Sequence, residues 1–194
     1  MGRGSPLVGI SWLNRPLHFD WFVGALFGDD PIRGEVRQGT DFFGGYRVGA
    51  DLDHYWGTEL RAGWGQLNAS NVQGPPRTRR SDVFISDVSV LYYPWGDARW
   101  RPYAQLGLGV ANFDFVDQNG FGRNETLVGM PIGGGVKFQF RRWLAMRADV
   151  LDNMAFGGNR LSTMHNVSLT IGFEIHWGAR RPSYWPWQPS RHTW

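Results

Sequence analysis

Alternation of apolar and polar residues with a period of two constrains the fold of this chain most strongly. It is clearest near the end of the sequence, where Val167, Leu169, Ile171, Phe173, Ile175 and Trp177 alternate with Ser168, Thr170, Gly172, Glu174 and His176. Successive side chains of a β-strand point to opposite faces, so this pattern predicts a strand with one apolar face and one polar face. The same alternation recurs from Leu106 to Val110 and from Val128 to Phe140.

The period-two pattern predicts eight strands in all. They are Phe19–Gly28, Thr40–Asp53, Thr58–Leu67, Asp82–Tyr93, Arg101–Phe113, Glu125–Phe140, Trp143–Phe156 and Thr163–Trp177. A usual strand has about 5 or 6 residues, whereas a tilted crossing of a bilayer takes about 9 to 11. We therefore predict an all-β fold, an eight-stranded antiparallel up-and-down transmembrane β-barrel over residues 17–178. Residues 1–16 form an N-terminal segment and residues 179–194 a Pro/Trp-rich C-terminal tail.

The predicted connections alternate between short turns and longer loops. Short turns fall near Tyr55-Trp56, Pro94–Asp97 and Arg141-Arg142, and longer connections fall at Asp29–Gly39, Asn68–Ser81, Asp114–Asn124 and Gly157–Ser162. Outer-membrane barrels have short periplasmic turns and longer external loops. An even number of strands also brings both ends of the barrel to the short-turn side.

Aromatic residues divide between the two ends of this arrangement. Those at the short-turn end are Trp21, Tyr55, Trp56, Tyr92, Tyr93, Trp95, Trp100, Tyr103, Trp143 and Trp177, and those at the other end are Phe27, Phe42, Trp64, Phe84, Phe113 and Phe156. Amphipathic rings settle where a barrel crosses the two membrane interfaces. Two aromatic belts favour a membrane barrel over a barrel in water.

Composition excludes several other classes of protein. The chain has no Cys, so it has no disulfide framework and no thiolate metal site. Its net charge of +3 is too small to indicate a nucleic-acid partner. No apolar run reaches the roughly 18 residues of a transmembrane helix. The segment Met1–Pro6 has no apolar core, so we expect the export signal of such a barrel to be absent from the chain shown.

Charged residues occupy the predicted inward face of the barrel. They are Arg47, Asp51, Glu59, Arg61, Asp87, Lys137, Arg147, Asp149 and Glu174, nearly balanced in sign. Glycines on the same face, such as Gly49, Gly63, Gly107 and Gly135, leave room for long side chains to reach across. Because buried charges must be paired or hydrated, this set predicts a structural plug of salt bridges. An ion path through the same residues is the alternative.

No constellation of residues indicates catalysis or a cofactor. The nearest candidate pair is His165 with Ser168, but a spacing of three on a strand places the two side chains on opposite faces. The five histidines show no ligand spacing, so the sequence indicates no metal site. We therefore expect a protein that is not an enzyme and that needs no cofactor.

Two further segments carry hypotheses about partners. Arg77, Arg79 and Arg80 fall in a predicted external loop, and Arg clusters suit bidentate contacts to the phosphates of lipopolysaccharide. In the tail, Tyr184, Trp185 and Trp187 are residue types common at interfaces and could contact another envelope protein. A solvated loop and a tail packed on the barrel rim are the alternatives.

Several stretches resemble OmpA-like outer-membrane β-barrel proteins, in particular uncharacterised barrels of planctomycete-type bacteria. They are Tyr55–Arg61, Tyr93–Asp97, Trp100–Tyr103, Gly135–Phe138 with Arg142–Asp149, and the closing strand Asn166–Gly178. The resemblance implies an eight-stranded barrel with a polar interior, located in the bacterial outer membrane, and it implies no shared catalytic site. The chain departs from it in two ways: no peptidoglycan-binding domain follows the barrel, and a tail follows the last strand.

These observations predict an outer-membrane barrel with a structural, anchoring or interaction role and a plugged lumen, in contact with membrane lipids and lipopolysaccharide. A soluble lipocalin-like barrel is the alternative, with the apolar residues turned inward around a ligand. A lipid hydrolase and a narrow ion pore are further alternatives.

Overall fold

A computed structural model describes residues 11–28, 36–38, 40–71, 78–116, 122–156 and 163–179. Within them, a single 3₁₀ turn, Trp12–Asn14, precedes the strands. The strands are β1 (Leu17–Phe27), β2 (Val36–Gln38), β3 (Thr40–Asp51), β4 (Trp56–Asn71), β5 (Thr78–Tyr92), β6 (Trp100–Val116), β7 (Gly122–Arg141), β8 (Leu144–Phe156) and β9 (Met164–Trp177).

Eight of these strands close into an antiparallel barrel. Each of β4 to β8 pairs with the strand before it and the strand after it, and β1 closes the ring by pairing with both β3 and β9. Leu17 lies opposite Trp177 at one end of the β1–β9 pair, and Phe27 lies opposite Val167 at the other. The short strand β2 pairs with the far end of β4. The predicted eight-stranded antiparallel barrel is therefore confirmed.

The strands β4 to β7 are longer than the sequence pattern predicted. The segments Asn68–Ser81 and Asp114–Asn124 were predicted to be loops, yet strand pairing continues to Asn71 and Val116 and resumes at Thr78 and Gly122. Polar residues there hide the strand signal, because side chains beyond the membrane need no apolar face while the backbone ladder continues.

The part of the chain that the structure describes contains no helix with the length and hydrophobicity of a membrane span.

The outer surface of the barrel is an apolar band. Leu108 and Ile171, both predicted to face outward, are 66% and 53% exposed. Along β1 the outward positions from Leu17 to Phe27 carry Phe, Trp, Val and Ala without a charge. Ten residue steps of a strand tilted by about 40° span roughly 25 Å, which matches the apolar height of membrane barrels. A lipocalin-like barrel, with apolar residues inward and charges outward, has the opposite arrangement.

Aromatic side chains lie at both edges of this band, with two exceptions. Trp56, Trp100 and Trp143 are exposed at the short-turn end, as predicted. Tyr93 and Tyr103 were assigned to the same belt, and that assignment is wrong because both rings are buried inside the barrel. Phe113 was assigned to the opposite belt, and its side chain lies outside the described residues.

Candidate functional site in the barrel interior

Side chains lie in three successive layers inside the barrel. We call the end with the short turns and the strand termini Leu17 and Trp177 the inner end, and the opposite end the outer end. Trp12 is buried at the inner end. A network of buried charges occupies the middle, and apolar side chains occupy the part nearest the outer end.

Arg147 on β8 is the hub of the ion-pair network. Its guanidinium donates to Glu59 on β4, to Asp149 at 3.0 Å, to the hydroxyl of Tyr103 at 2.6 Å and to Gln105 at 3.0 Å. These partners lie on β4, β6 and β8, so a single side chain joins different parts of the barrel wall. Arg presents five donors in a fixed fork, which suits it to satisfy several acceptors at once.

Arg47 on β3 is a second branching point. It donates to Asp20 at 2.7 Å, to Asp149 at 3.0 Å and to the hydroxyl of Thr170 at 2.8 Å. Its Nε lies 3.8 Å from Glu59, which also binds the hub. Arg47 and the hub therefore share carboxylates, and the two branches form one connected network.

Three further ion pairs complete the network. They are Arg61 with Asp87 at 2.7 Å, Lys137 with Glu174 at 2.6 Å, and Arg101 with Asp51 at 3.0 Å. Arg61 also donates to the side chain of Asn153, which places β4, β5 and β8 in contact through side chains. Charge-assisted hydrogen bonds of this kind are the strongest that side chains make.

The structure places all nine predicted interior charges inside the barrel, each at most 4% exposed. Sequence reasoning missed four other buried members: His18, Asp20, Arg101 and His176. A signal was present for His18 and Asp20, which alternate with the outward Leu17, Phe19 and Trp21. His176 continues the polar face of β9 that includes Glu174, so the same signal was present for it. Arg101 lies at the start of β6, where alternation alone does not distinguish the lumen from the rim.

The lumen face is not polar along its whole length. Nearest the outer end, Phe22, Leu26, Phe43, Val83, Ile85, Ala111, Leu127, Ala155 and Met164 form one buried apolar cluster. The predicted inward glycines serve this layer as well as the charges. A Cβ at Gly63 would meet the rings of Phe43 and Phe22, so this glycine makes room for aromatic rings and not for a cation.

The inner end is covered by the segment before β1. Trp12 is 1% exposed, and its indole N–H donates to the carbonyl of Ala98 at 2.8 Å. Its backbone N–H donates to Asp97 at 2.9 Å. The indole ring also lies edge-on to His176, with ring centroids 5.2 Å apart. Residues 1–16 were predicted only as a segment outside the barrel, and no sequence pattern marked Trp12 as a cover of the lumen.

His165 and Ser168 are on opposite faces of β9, as their spacing required. His165 points outward and its Nδ1 lies 2.7 Å from Asp152, whereas Ser168 is buried and donates to the carbonyl of Leu151 at 3.3 Å. A nucleophile and its base must be within hydrogen-bond reach. These two side chains therefore do not form a catalytic pair.

The predicted partner-binding residues are only partly described. Arg79 and Arg80 were predicted to lie in a loop, and that prediction is wrong because both belong to β5, opposite Ala69 and Asn68. Their side chains and all of Arg77 lie outside the described residues. The tail residues Tyr184, Trp185 and Trp187 also lie outside the described residues.

A closed antiparallel barrel with an apolar outer band and a polar, charged interior defines the class of membrane β-barrels. Residues 16–174 match the model of the family described as outer membrane protein beta-barrel domain. The chain belongs to this family. No significant match is found among curated protein sequences.

Solved structures of similar fold come from outer-membrane barrels. Neisserial surface protein A has a TM-score of 0.59 and 13% identity, over 82% of this chain and 96% of that chain. OprG from Pseudomonas aeruginosa has a TM-score of 0.58 and 16% identity, over 86% and 98%. Ail of Yersinia pestis, in complex with the heparin analogue sucrose octasulfate, has a TM-score of 0.51 and 11% identity, over 84% and 99%.

The family match establishes the location of the barrel as the bacterial outer membrane, where its apolar band contacts lipids. It also confirms the predicted resemblance to small OmpA-like barrels. The likeness to planctomycete-type proteins stays a prediction.

Proposed function

We propose that this protein is a structural barrel of the outer membrane with a closed lumen, which anchors or stabilises the envelope and presents its loops and tail to partners. The observation that carries this proposal is the ion-pair network centred on Arg147. It joins β1, β3, β4, β6, β8 and β9 across the lumen, and every charged member is buried.

A lumen filled in this way opposes the passage of water and ions. An eight-stranded barrel leaves an interior just wide enough for side chains to fill. The charges at its centre are paired with one another, so a conducting path would require several buried pairs to separate. Separating one partner of a buried pair costs about 3–5 kcal/mol. The apolar layer and Trp12 close the lumen on either side of the network.

The same geometry supports a role without catalysis. His165 pairs with Asp152 on the outside of the barrel, whereas Ser168 lies on the opposite face of β9, so these residues do not join a nucleophile to its base. The remaining charged groups in the described interior are engaged with one another.

Lipopolysaccharide is the lipid partner we propose for Arg77, Arg79 and Arg80. Arg79 and Arg80 are among the first residues of β5 at the outer end of the barrel, where the outer leaflet presents phosphates, and Arg77 precedes them in sequence. The solved complex of Ail with a polysulfated sugar analogue shows a barrel of this fold with a polyanion. For the tail, we propose that Tyr184, Trp185 and Trp187 contact a periplasmic or envelope protein.

Conductance across a planar bilayer tests the closed lumen. The refolded protein should insert and give no sustained current, whereas a double variant, Glu59→Ala with Arg147→Ala, should give measurable current because it removes the hub and a main partner. The double variant Arg141→Ala with Arg142→Ala, at an exposed turn, is the matched control and should stay silent. Sustained current from the unmodified barrel would refute the closed lumen and favour the ion-pore alternative.

A further inference from the structure

The buried charges of the barrel do not balance. Among the described residues, six buried side chains are acidic: Asp20, Asp51, Glu59, Asp87, Asp149 and Glu174. Five are basic: Arg47, Arg61, Arg101, Lys137 and Arg147. With neutral histidines the interior therefore carries one excess negative charge. An uncompensated charge is costly in a medium of low dielectric constant, so one additional positive charge would stabilise the interior.

The imbalance is located beside His18 and His176. Arg61 and Arg101 each have a carboxylate partner of their own. The other three cations, Arg47, Lys137 and Arg147, face four carboxylates, which are Asp20, Glu59, Asp149 and Glu174. Two of these four also lie beside a histidine: Glu59 is 3.4 Å from Nε2 of His18, and Glu174 is 3.4 Å from Nε2 of His176.

Metal-ligand side chains converge at this place. One ligand atom each from His18 on β1, Asp51 on β3 and His176 on β9 lies within 4.8 Å of the other two. A second overlapping set consists of His18, Glu59 and Glu174. The members of both sets are buried, beneath the indole of Trp12. Strand pairing brings β1 beside both β3 and β9, which explains why their spacing in sequence shows no metal motif.

Two of these ligand side chains have a buried polar atom without a hydrogen-bond partner. Nδ1 of His18 is buried and has no hydrogen-bond partner, and neither has Oδ1 of Asp51. The second nitrogen of His18 faces Glu59, while Oδ2 of Asp51 faces Arg101 at 3.0 Å. Metal-binding histidines usually direct the other ring nitrogen to a carboxylate or carbonyl. This arrangement leaves Nδ1 of His18 and Oδ1 of Asp51 available as ligands.

His176 has the same surroundings. Its Nδ1 lies 3.4 Å from the carbonyl of Arg15 and its Nε2 lies 3.4 Å from Glu174. Either nitrogen can therefore be held by an oxygen acceptor while the other binds a metal. Two cations lie close by: Lys137 pairs with Glu174 at 2.6 Å, and Arg101 pairs with Oδ2 of Asp51 at 3.0 Å while its guanidinium lies over the ring of Tyr93.

We propose that His18, Asp51 and His176 form a binding site for a divalent transition metal of the zinc type at the inner end of the lumen. Two imidazoles and one carboxylate are a ligand set that Zn²⁺ accepts, with one position left open. The ion supplies positive charge where the buried network lacks it and ties β1, β3 and β9 together. Protonation of a histidine is the competing way to supply that charge.

Titration of the detergent-folded, tag-free protein with ZnCl₂ after EDTA treatment tests the site. Isothermal titration calorimetry should give one Zn²⁺ per chain, and Co²⁺ should give the visible absorption of a low-symmetry four-coordinate site. His18→Gln and His176→Gln should each weaken binding at least about tenfold. His165→Gln, which alters an exposed histidine on the outside of the barrel, should bind as the unmodified protein does.

Folding of each variant is checked by the change in gel mobility on boiling in SDS. If either interior variant does not fold, Asp51→Asn provides the same test with a smaller change in shape. The proposal is overturned if the unmodified, folded barrel takes up no Zn²⁺ at one per chain, which leaves protonation as the source of charge. Equal loss of binding in His165→Gln would also overturn it, because the metal would then be on the outer surface.

Discussion

Replacing Arg147 with Met should destabilise the barrel more than any change at its surface. Met fills a similar volume but removes the guanidinium that donates to Glu59, Asp149, Tyr103 and Gln105. The buried carboxylates of Glu59 and Asp149 then each lose one of their cationic partners. Breaking a buried pair by removing one partner costs about 3–5 kcal/mol, which is a large share of the stability of a domain of this size.

A charge-restoring partner separates electrostatics from packing. Glu59→Gln removes one of the carboxylates that Arg147→Met leaves unpaired, so the double variant should recover a substantial part of the loss. Arg142→Met, at an exposed position of the β7–β8 turn, is the control and should change the free energy of unfolding by less than about 0.5 kcal/mol. The control shows whether the loss of stability comes from the buried position of Arg147 or from the removal of any arginine.

The assay is urea unfolding of the folded protein in detergent micelles, followed by tryptophan fluorescence and by gel mobility without boiling. A variant Arg147→Met that unfolds within about 0.5 kcal/mol of the unmodified protein would refute the reasoning. The same holds if Glu59→Gln adds its own full cost to that of Arg147→Met, because the two side chains would then not interact.

Three further changes test other parts of the account. Ile171→Arg places a charge on the lipid-facing side of the barrel and should cost roughly 2–4 kcal/mol, which would be seen as poor insertion into vesicles. The control Ile171→Leu should insert normally, and equal insertion of the two variants would place residue 171 in the lumen. Gly63→Val should push a side chain against the rings of Phe43 and Phe22 and lower the free energy of unfolding by about 1–3 kcal/mol. An unchanged urea midpoint would contradict this packing. Trp12→Ala should cost about 3 kcal/mol by the same measurement, and no loss would mean that Trp12 does not cover the lumen.

The barrel itself follows from sequence because period-two alternation is local information. Ile171 and Glu174 fall on opposite faces whatever the rest of the chain does, so the charged lumen could be predicted together with the strands. Strand ends were harder to place. Beyond the membrane both faces are polar, and Arg79 and Arg80 therefore gave no sign that β5 begins at Thr78.

The contacts within the lumen could not be predicted in the same way. Which carboxylate meets Arg147 depends on how strands from distant parts of the sequence are arranged around the ring. Glu59 is 88 residues away from it, and no local pattern connects the two. The cover formed by Trp12 was missed for a related reason, because a single 3₁₀ turn of three residues carries no periodicity.

The apolar layer nearest the outer end shows a limit of binary patterning. Phe22 and Phe43 alternate with outward residues that are also apolar, so the lumen face loses its polar signal there. A pattern of this kind does not tell which face is which. The burial of both rings, together with the register that places Phe22 opposite Gly45, shows that they lie inside the barrel.

The closed lumen is tested most directly by the accessibility of an interior thiol. The chain has no Cys, so Ser89→Cys, at a buried position in the network, carries the only thiol of the variant. In folded barrels in vesicles, this thiol should not react with a charged, membrane-impermeant methanethiosulfonate, and it should react fully after unfolding. Arg142→Cys at the exposed turn is the positive control. Labelling of Ser89→Cys in the folded barrel at the rate of this control would contradict a closed lumen.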